Sequence, residues 1–281
     1  MIFNTEAEFE AVMITALQNK GWENRVLKYP TEETLLKNWA DILFENNRGI
    51  DRLNDAPLTD TEMQQILEQV LALRTPLKLN GFINGKTVSI TRDNPDDPFH
   101  FGKEVSLKIY DRREIAAGQS RYQIAQQPKY KSKSKILNDR RGDLMLLING
   151  MPVFHLELKK SGIPVSQAYY QIEKYSDEGI FTGIFSLVQI FVAMQPEETV
   201  YFANPGPDGV FNKDFYFHWA DFNNEPINNW RDVATYLLSI PMAHQMIGFY
   251  TIADDSDGVL KVMRSYQYFA ANAISDRVSK I

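Results

Sequence analysis

Two short runs hold side chains suited to metal-assisted phosphodiester hydrolysis. They are Arg140-Arg141-Gly142-Asp143 and Val153-Phe154-His155-Leu156-Glu157-Leu158-Lys159. The second is as apolar as a buried strand, and an unpaired carboxylate buried there costs on the order of several kcal/mol. Glu157 therefore needs a metal or a cation. Residues two apart on a strand share a face, so Glu157 and Lys159 point the same way. Two carboxylates and an ammonium on one face suit Mg²⁺. That ion takes oxygen ligands, keeps several waters and accepts a substrate phosphate. It polarises a phosphoryl oxygen and helps generate hydroxide, while a lysine stabilises the added charge or positions the water. The plainer alternative is an acid and a base paired across a hairpin.

Whether Asp143 joins Glu157 depends on the hairpin between them. Asp143–Ile148 and Val153–Lys159 read as strands joined at Asn149-Gly150. With a two-residue loop, Asp143 would oppose Leu156 and Glu157 would face away. A three-residue loop or one bulge restores parity. Ile148-Asn149-Gly150, with Gly150 in the left-handed position, is such a loop.

The surrounding elements follow from local signals. Thr5 caps a helix with Glu8 three residues on, and Phe9, Val12, Met13, Ala16 and Leu17 recur at helical spacing. Residues 31–73 read as further helices with a break at Asn54–Pro57. Alternation starts near Leu77, with strands at 86–91, 105–110 and 122–125. A helix runs over 166–175, strands over 185–193 and 199–203, and a helix over 230–238. Helices first, then a meandering sheet, then mixed elements predict an α/β or α+β domain with a central mixed sheet.

Composition narrows the chemistry. The chain has 281 residues, 44% hydrophobic and 23% charged, with no cysteine. Disulfides, thiolate zinc sites and cysteine nucleophiles are thereby excluded. No run approaches the roughly 20 apolar residues that cross a bilayer, and the start does not resemble a signal peptide. A cytoplasmic setting is expected. The net charge of −6 argues against a wholly basic surface. Locally, however, Arg121, Lys129, Lys131, Lys133, Lys135, Arg140 and Arg141 face one acid, Asp139, and form a candidate phosphate-binding patch. A solvated lysine-rich loop is the alternative. The histidines 100, 155, 218 and 244 show no metal-ligand spacing, although His155 shares the face of Glu157 and Lys159. The aromatic segment Phe211–Phe222 reads as core packing before base stacking. Gly81-Phe-Ile-Asn-Gly85-Lys86-Thr87 imitates a phosphate-binding loop but is one residue short and leads into a strand, so it reads as a hairpin turn.

These residues carry a family resemblance. Gly142-Asp143 with Glu157-x-Lys159 resembles the PD-(D/E)xK nuclease motif, with glycine where the motif has proline. Asn149-Gly150-Met151-Pro152, Leu156-Glu157-Leu158-Lys159, Gln171-Ile172-Glu173-Lys174-Tyr175 and the opening Phe9-Glu10…Gly21-Trp22 resemble the nuclease domain of type I restriction-modification R subunits. The resemblance implies a restriction-endonuclease-like α/β core with a central mixed sheet flanked by helices. It further implies a Mg²⁺-dependent endonuclease acting on double-stranded DNA, with methyltransferase and specificity subunits as partners. Asp143 and Glu157 carry over as metal ligands, Lys159 as catalytic lysine, and Glu10 as the helix carboxylate near the metal, with Glu6 its rival. Gln171 and Tyr175, with Arg140 and Arg141, are expected to bind DNA or support the site. Arg264-Ser265-Tyr266-Gln267 resembles the adenine-contacting segment of an ATP-driven motor, so Gln267 is a candidate ATP contact. Residues 1–255 are then the nuclease domain and 256–281 a linker opening a truncated motor, in a fragment of a longer polypeptide. ATP is expected only for the complete subunit. A catalytically silent docking module of the same fold is the competing reading, against which the intact Asp, Glu and Lys speak.

Overall fold

The computed structural model describes residues 1–114, 120–131, 139–254 and 256–278. Four helices come early: α1 (Glu6–Gln18), α2 (Glu32–Asn46), α3 (Asp60–Leu73) and α4 (Pro76–Asn84). Helix α5 (Val165–Asp177) lies mid-chain, and α6 (Trp230–Tyr236), α7 (Met242–Phe249) and α8 (Ser265–Val278) come late. The strands before the candidate site are β1 (Val26–Lys28), β2 (Thr87–Thr91), β3 (Glu104–Lys108), β4 (Tyr122–Gln126), β5 (Lys129–Tyr130) and β6 (Arg140–Arg141). The rest are β7 (Leu144–Ile148), β8 (Met151–Leu158), β9 (Ile190–Gln195), β10 (Glu198–Ala203), β11 (Thr251–Asp254) and β12 (Val259–Val262).

Six strands form the central sheet in the order β1-β4-β7-β8-β9-β10. The pairs β1–β4 and β8–β9 are parallel, and the others antiparallel. This is the expected α/β architecture, a mixed sheet flanked by helices. Strand β8 runs through its middle with all eight residues buried, as a strand covered on both faces must. The α5 crossover from β8 to its parallel neighbour β9 lays one helix face on the sheet, burying Val165, Ala168, Ile172 and Tyr175.

Local capping chemistry starts the early helices, at Thr5 as read. Thr5 and Glu8 close a capping box on α1, and Thr59 with Glu62 does the same for α3. Three expectations need correction. Residues 76–84 form a helix, so the alternation read as starting near Leu77 begins only with β2 at Thr87. Thr75 caps it, Pro76 occupies its first turn, and Leu79, Asn80 and Ile83 are buried at helical spacing. Gly81 thus lies inside α4 and Gly85 ends it, so 81–87 is a helix terminus leading into β2 and not a hairpin turn. Among the described residues, strands β2 and β3 pair with each other, outside the central sheet. Similarly, Gly183–Leu187 is a 3₁₀ turn, and β9 begins at Ile190. Strands β11 and β12 form a hairpin that joins the two sides of the domain boundary expected at 255/256. No helix among the described residues is long and apolar enough to cross a membrane.

Candidate active site

The β7–β8 hairpin solves the parity problem with a bulge. Ile148 opposes Met151, so the loop has two residues, Asn149 (φ 51°) and Gly150 (φ 83°), both left-handed. The three-residue loop is therefore incorrect. The register then shifts: Leu147 opposes Pro152 while Leu146 opposes Phe154, leaving Val153 as the extra residue. Beyond the bulge Leu144 opposes Leu156, which carries Asp143 across from Glu157. The Leu158 backbone N–H donates to Asp143 Oδ2 at 2.7 Å, tying the carboxylate to β8.

Helix α5 completes the cluster. The Lys159 ammonium donates to Gln171 Oε1 at 2.8 Å and lies 3.9 Å from Glu157 Oε1. The Gln171 amide in turn donates to Glu157 Oε1 and to the Tyr175 hydroxyl. Tyr175 donates onward to the carbonyl of Arg141 at 2.9 Å. One amide thus bridges the acid, the base and the phenol. Its spacing to Tyr175, one helical turn, is what permits this. Tyr175 is buried. On the other side, His155 Nε2 lies 3.2 Å from Glu157 Oε2.

The electrostatics are those of an under-compensated acidic pair. Burial pushes the Glu157 carboxyl up to about 8, with Lys159 opposing. Burial and the Glu157 charge raise Asp143 well above the usual aspartate range, against the Leu158 N–H and Lys159. Both directions have one cause: a buried and a half-buried carboxylate side by side, with a single ammonium near them among the described residues. Burial also pushes His155 down to about 4, so its imidazole is neutral. A divalent cation would supply the missing charge, and hard oxygen donors suit Mg²⁺.

The remaining residues are distributed unevenly. Glu10 is buried, and its carboxylate accepts from the side-chain amides of Gln126 (2.6 Å) and Gln127 (3.1 Å). Among the described residues, no group of three or more His, Cys, Asp or Glu forms a metal-holding cluster. Its rival Glu6 sits 3.4 Å from the Lys159 ammonium. The Arg140 guanidinium donates twice to Glu178, each at 2.7 Å. Arg141 is exposed, stacked over Tyr29 and donating to Gln127. Arg121 is paired with Glu23, Lys129 and Lys131 are exposed, and Lys133 and Lys135 lie outside the described residues. Gln267 is exposed on α8 and accepts from the Arg264 backbone N–H. The aromatic segment is mixed: Trp219 is buried, whereas Phe222 is 78% exposed.

Sequence reasoning missed the layer behind Glu157. His155 sits on the same face, which was visible, but its partner Tyr130, 3.1 Å from Nδ1, comes from a strand with no motif.

The family described as "Type I restriction enzyme R protein N terminus" matches residues 3–209. The Staphylococcus saprophyticus "Type I restriction enzyme SsaAORF53P endonuclease subunit" is 31% identical over 98% of this chain and 27% of its own length. A Staphylococcus aureus relative, the "Type I restriction enzyme SauMSSORF170P endonuclease subunit", is 29% identical over 100% of the chain and 28% of its own length. The Escherichia coli "Type I restriction enzyme EcoprrI endonuclease subunit" is 27% identical over 97% of the chain and 82% of its own length. The chain thus spans about a quarter of the first two relatives. With the family matched over most of the chain, on a fold that brings Asp143, Glu157 and Lys159 together, the chain belongs to the type I restriction enzyme R protein N-terminal family.

Proposed function

We propose that this chain is an endonuclease domain that hydrolyses phosphodiester bonds of double-stranded DNA with Mg²⁺. The observation that carries the reading is the convergence of Asp143, Glu157 and Lys159 on one face, bridged by Gln171. Asp143 and Glu157 would hold the ion. When bound, it polarises a phosphate oxygen and lowers the pKa of an attacking water. The Lys159 ammonium, aimed by Gln171, stabilises negative charge developing on the phosphate. Gln171 and Tyr175 keep Glu157 and Lys159 in register. Glu10 would become a ligand only by leaving the amides of Gln126 and Gln127, and we assign it no step. Arg141, exposed near Asp143, is our candidate for the DNA backbone. Arg140 would have to exchange Glu178 for a phosphate.

In this reading residues 1–255 are the nuclease domain, and 256–281 lead toward an ATP-driven, helicase-type motor, where Gln267 would contact adenine. The partners would be methyltransferase and specificity subunits in the cytoplasm, with ATP used only by the complete subunit.

The test is cleavage of double-stranded plasmid DNA with Mg²⁺, beside Lys159→Ala. Cleavage lost in the folded variant is expected. If the wild-type chain binds DNA yet never cuts it, alone or assembled with the other subunits, it is a docking module.

A further inference from the structure

Behind Glu157 lies a buried polar chain that the proposed chemistry does not use directly. Tyr130 and His155 are 2% and 0% exposed. The Tyr130 hydroxyl is 3.1 Å from His155 Nδ1, and His155 Nε2 is 3.2 Å from Glu157 Oε2. With a cation bound, the Glu157 carboxylate is ionised and only accepts hydrogen bonds, so His155 then presents its N–H at Nε2. Nδ1 then carries the lone pair, and the Tyr130 hydroxyl must donate to it. A hydroxyl on one strand thereby selects the tautomer of a histidine on another. The rings are fixed by packing: His155 stands edge-on to Phe181 at 5.2 Å, and Tyr130 edge-on to Phe185 at 4.8 Å.

Gly142 gives independent support. A Cβ at this position would come within 2.7 Å of His155 Cε1 and 2.8 Å of the Tyr130 hydroxyl. Both distances are shorter than real Cβ contacts, and any side chain, the proline of the nuclease motif included, would collide with this pair. The glycine preceding Asp143 is the space that the Tyr130–His155 pair occupies. That explains the one departure from the motif.

We propose that His155, with its tautomer set by Tyr130, is a positioning residue for Glu157. It donates to Oε2 while Gln171 donates to Oε1, and together they fix the plane of the carboxylate toward a divalent cation. Groups behind a metal ligand that orient it commonly contribute roughly 10–100-fold in affinity. This rests on the reading of Glu157 as a metal ligand.

Titration of the 281-residue chain with Mn²⁺, by calorimetry, tests it without DNA cleavage. His155→Leu should weaken Mn²⁺ binding roughly 10-fold or more. His155→Gln, whose amide can donate from nearly the same position, should restore most of it. Tyr130→Phe should weaken binding by a smaller factor. Gly142→Ala, which removes no polar group, should weaken it by crowding His155, and this keeps the test alive if His155→Leu does not fold. Wild-type affinity in folded His155→Leu, or in folded Gly142→Ala and Tyr130→Phe together, overturns the proposal. If Glu157→Ala lowers Mn²⁺ affinity while those variants do not, only the positioning role fails. If the wild-type chain binds no Mn²⁺ through Glu157, the metal reading itself falls, and this role with it.

Discussion

Two buried charged clusters in this molecule are built to opposite plans. Around Arg92, which is 0% exposed, every donor is used. The guanidinium pairs with Glu62 at 2.6 Å and Asp97 at 3.1 Å, and donates to the carbonyls of Leu53, Ala56 and Pro57. Asp97 also receives Asn54 and His100. Burial alone would raise the Asp97 carboxyl, yet hydrogen bonds from His100, Asn54 and Arg92 hold it below its usual value. Around Glu157 the charge count is the same, two carboxylates to one cation among the described residues, but the hydrogen bonds there do not offset burial and both carboxyls rise. A saturated buried ion cluster needs nothing more and ties the loop after α2 to the segment that follows β2. An under-compensated one is less favourable by itself and has capacity for a cation. Burial of charge therefore does not distinguish a structural cluster from a functional one; the balance of partners does.

The largest effect should come from breaking the saturated cluster. Arg92→Met leaves Glu62 and Asp97 buried without a cation, at roughly 3–5 kcal/mol. Urea denaturation should show that loss, and a loss under about 1 kcal/mol would mean the cluster tolerates imbalance. In the other cluster, Lys159→Ala should lower cleavage by roughly 10²–10³-fold, the range for one preorganised transition-state donor. Retained cleavage in single-turnover assays would remove Lys159 from the chemistry.

A third contrast concerns stability against metal and pH. Glu157→Gln removes a charge that burial disfavours, so metal-free stability near neutral pH should hold or rise. The same variant should lose the stabilisation by Mg²⁺, about 2.7 kcal/mol at a hundredfold excess over Kd. The pH dependences carry opposite signs. Glu157, raised from 4.5 to about 8, favours the folded state at low pH and loses that contribution as pH rises through this window. Asp97, lowered from 3.8, contributes above that value and loses its share as pH falls below it. Thermal melts of metal-free chain across this range, beside Glu157→Gln, separate the two. A flat difference between wild type and variant would contradict the under-compensated pair.

The smallest effect is Tyr175→Phe. It removes the hydroxyl that receives Gln171 and donates to Arg141, but keeps the buried ring. The expected loss is roughly 0.5–1.5 kcal/mol of stability, with a modest fall in cleavage. Tyr175→Ala is the poorer probe, because it also opens a cavity. Unchanged cleavage in the Phe variant would reduce Tyr175 to packing.

What was legible depended on how far each signal reached along the chain. Thr5 with Glu8 acts across three residues, and that helix start appears where read. The α4 error has the same scale: Leu77 and Leu79 fit either period, and Thr75-Pro76 was the deciding signal that went unused. The hairpin was half readable. The need for one extra residue followed from parity, but its place at Val153 did not.

The sequence by itself determined the apolar strand with Glu157 and Lys159 on one face, the tight turn at Asn149-Gly150, and the helical spacing of Gln171 and Tyr175. These depend on backbone periods of two and 3.6 residues, which any local stretch expresses. Only the tertiary structure decided which partners those side chains met. Gln171 reaches Glu157 across 14 residues, Tyr130 reaches His155 across 25, and Gln126 holds Glu10 across 116. The physical reason is that a buried polar group must bond to whatever the packing brings within about 3 Å. Packing is a property of the whole sheet and its helices, and no short motif records it.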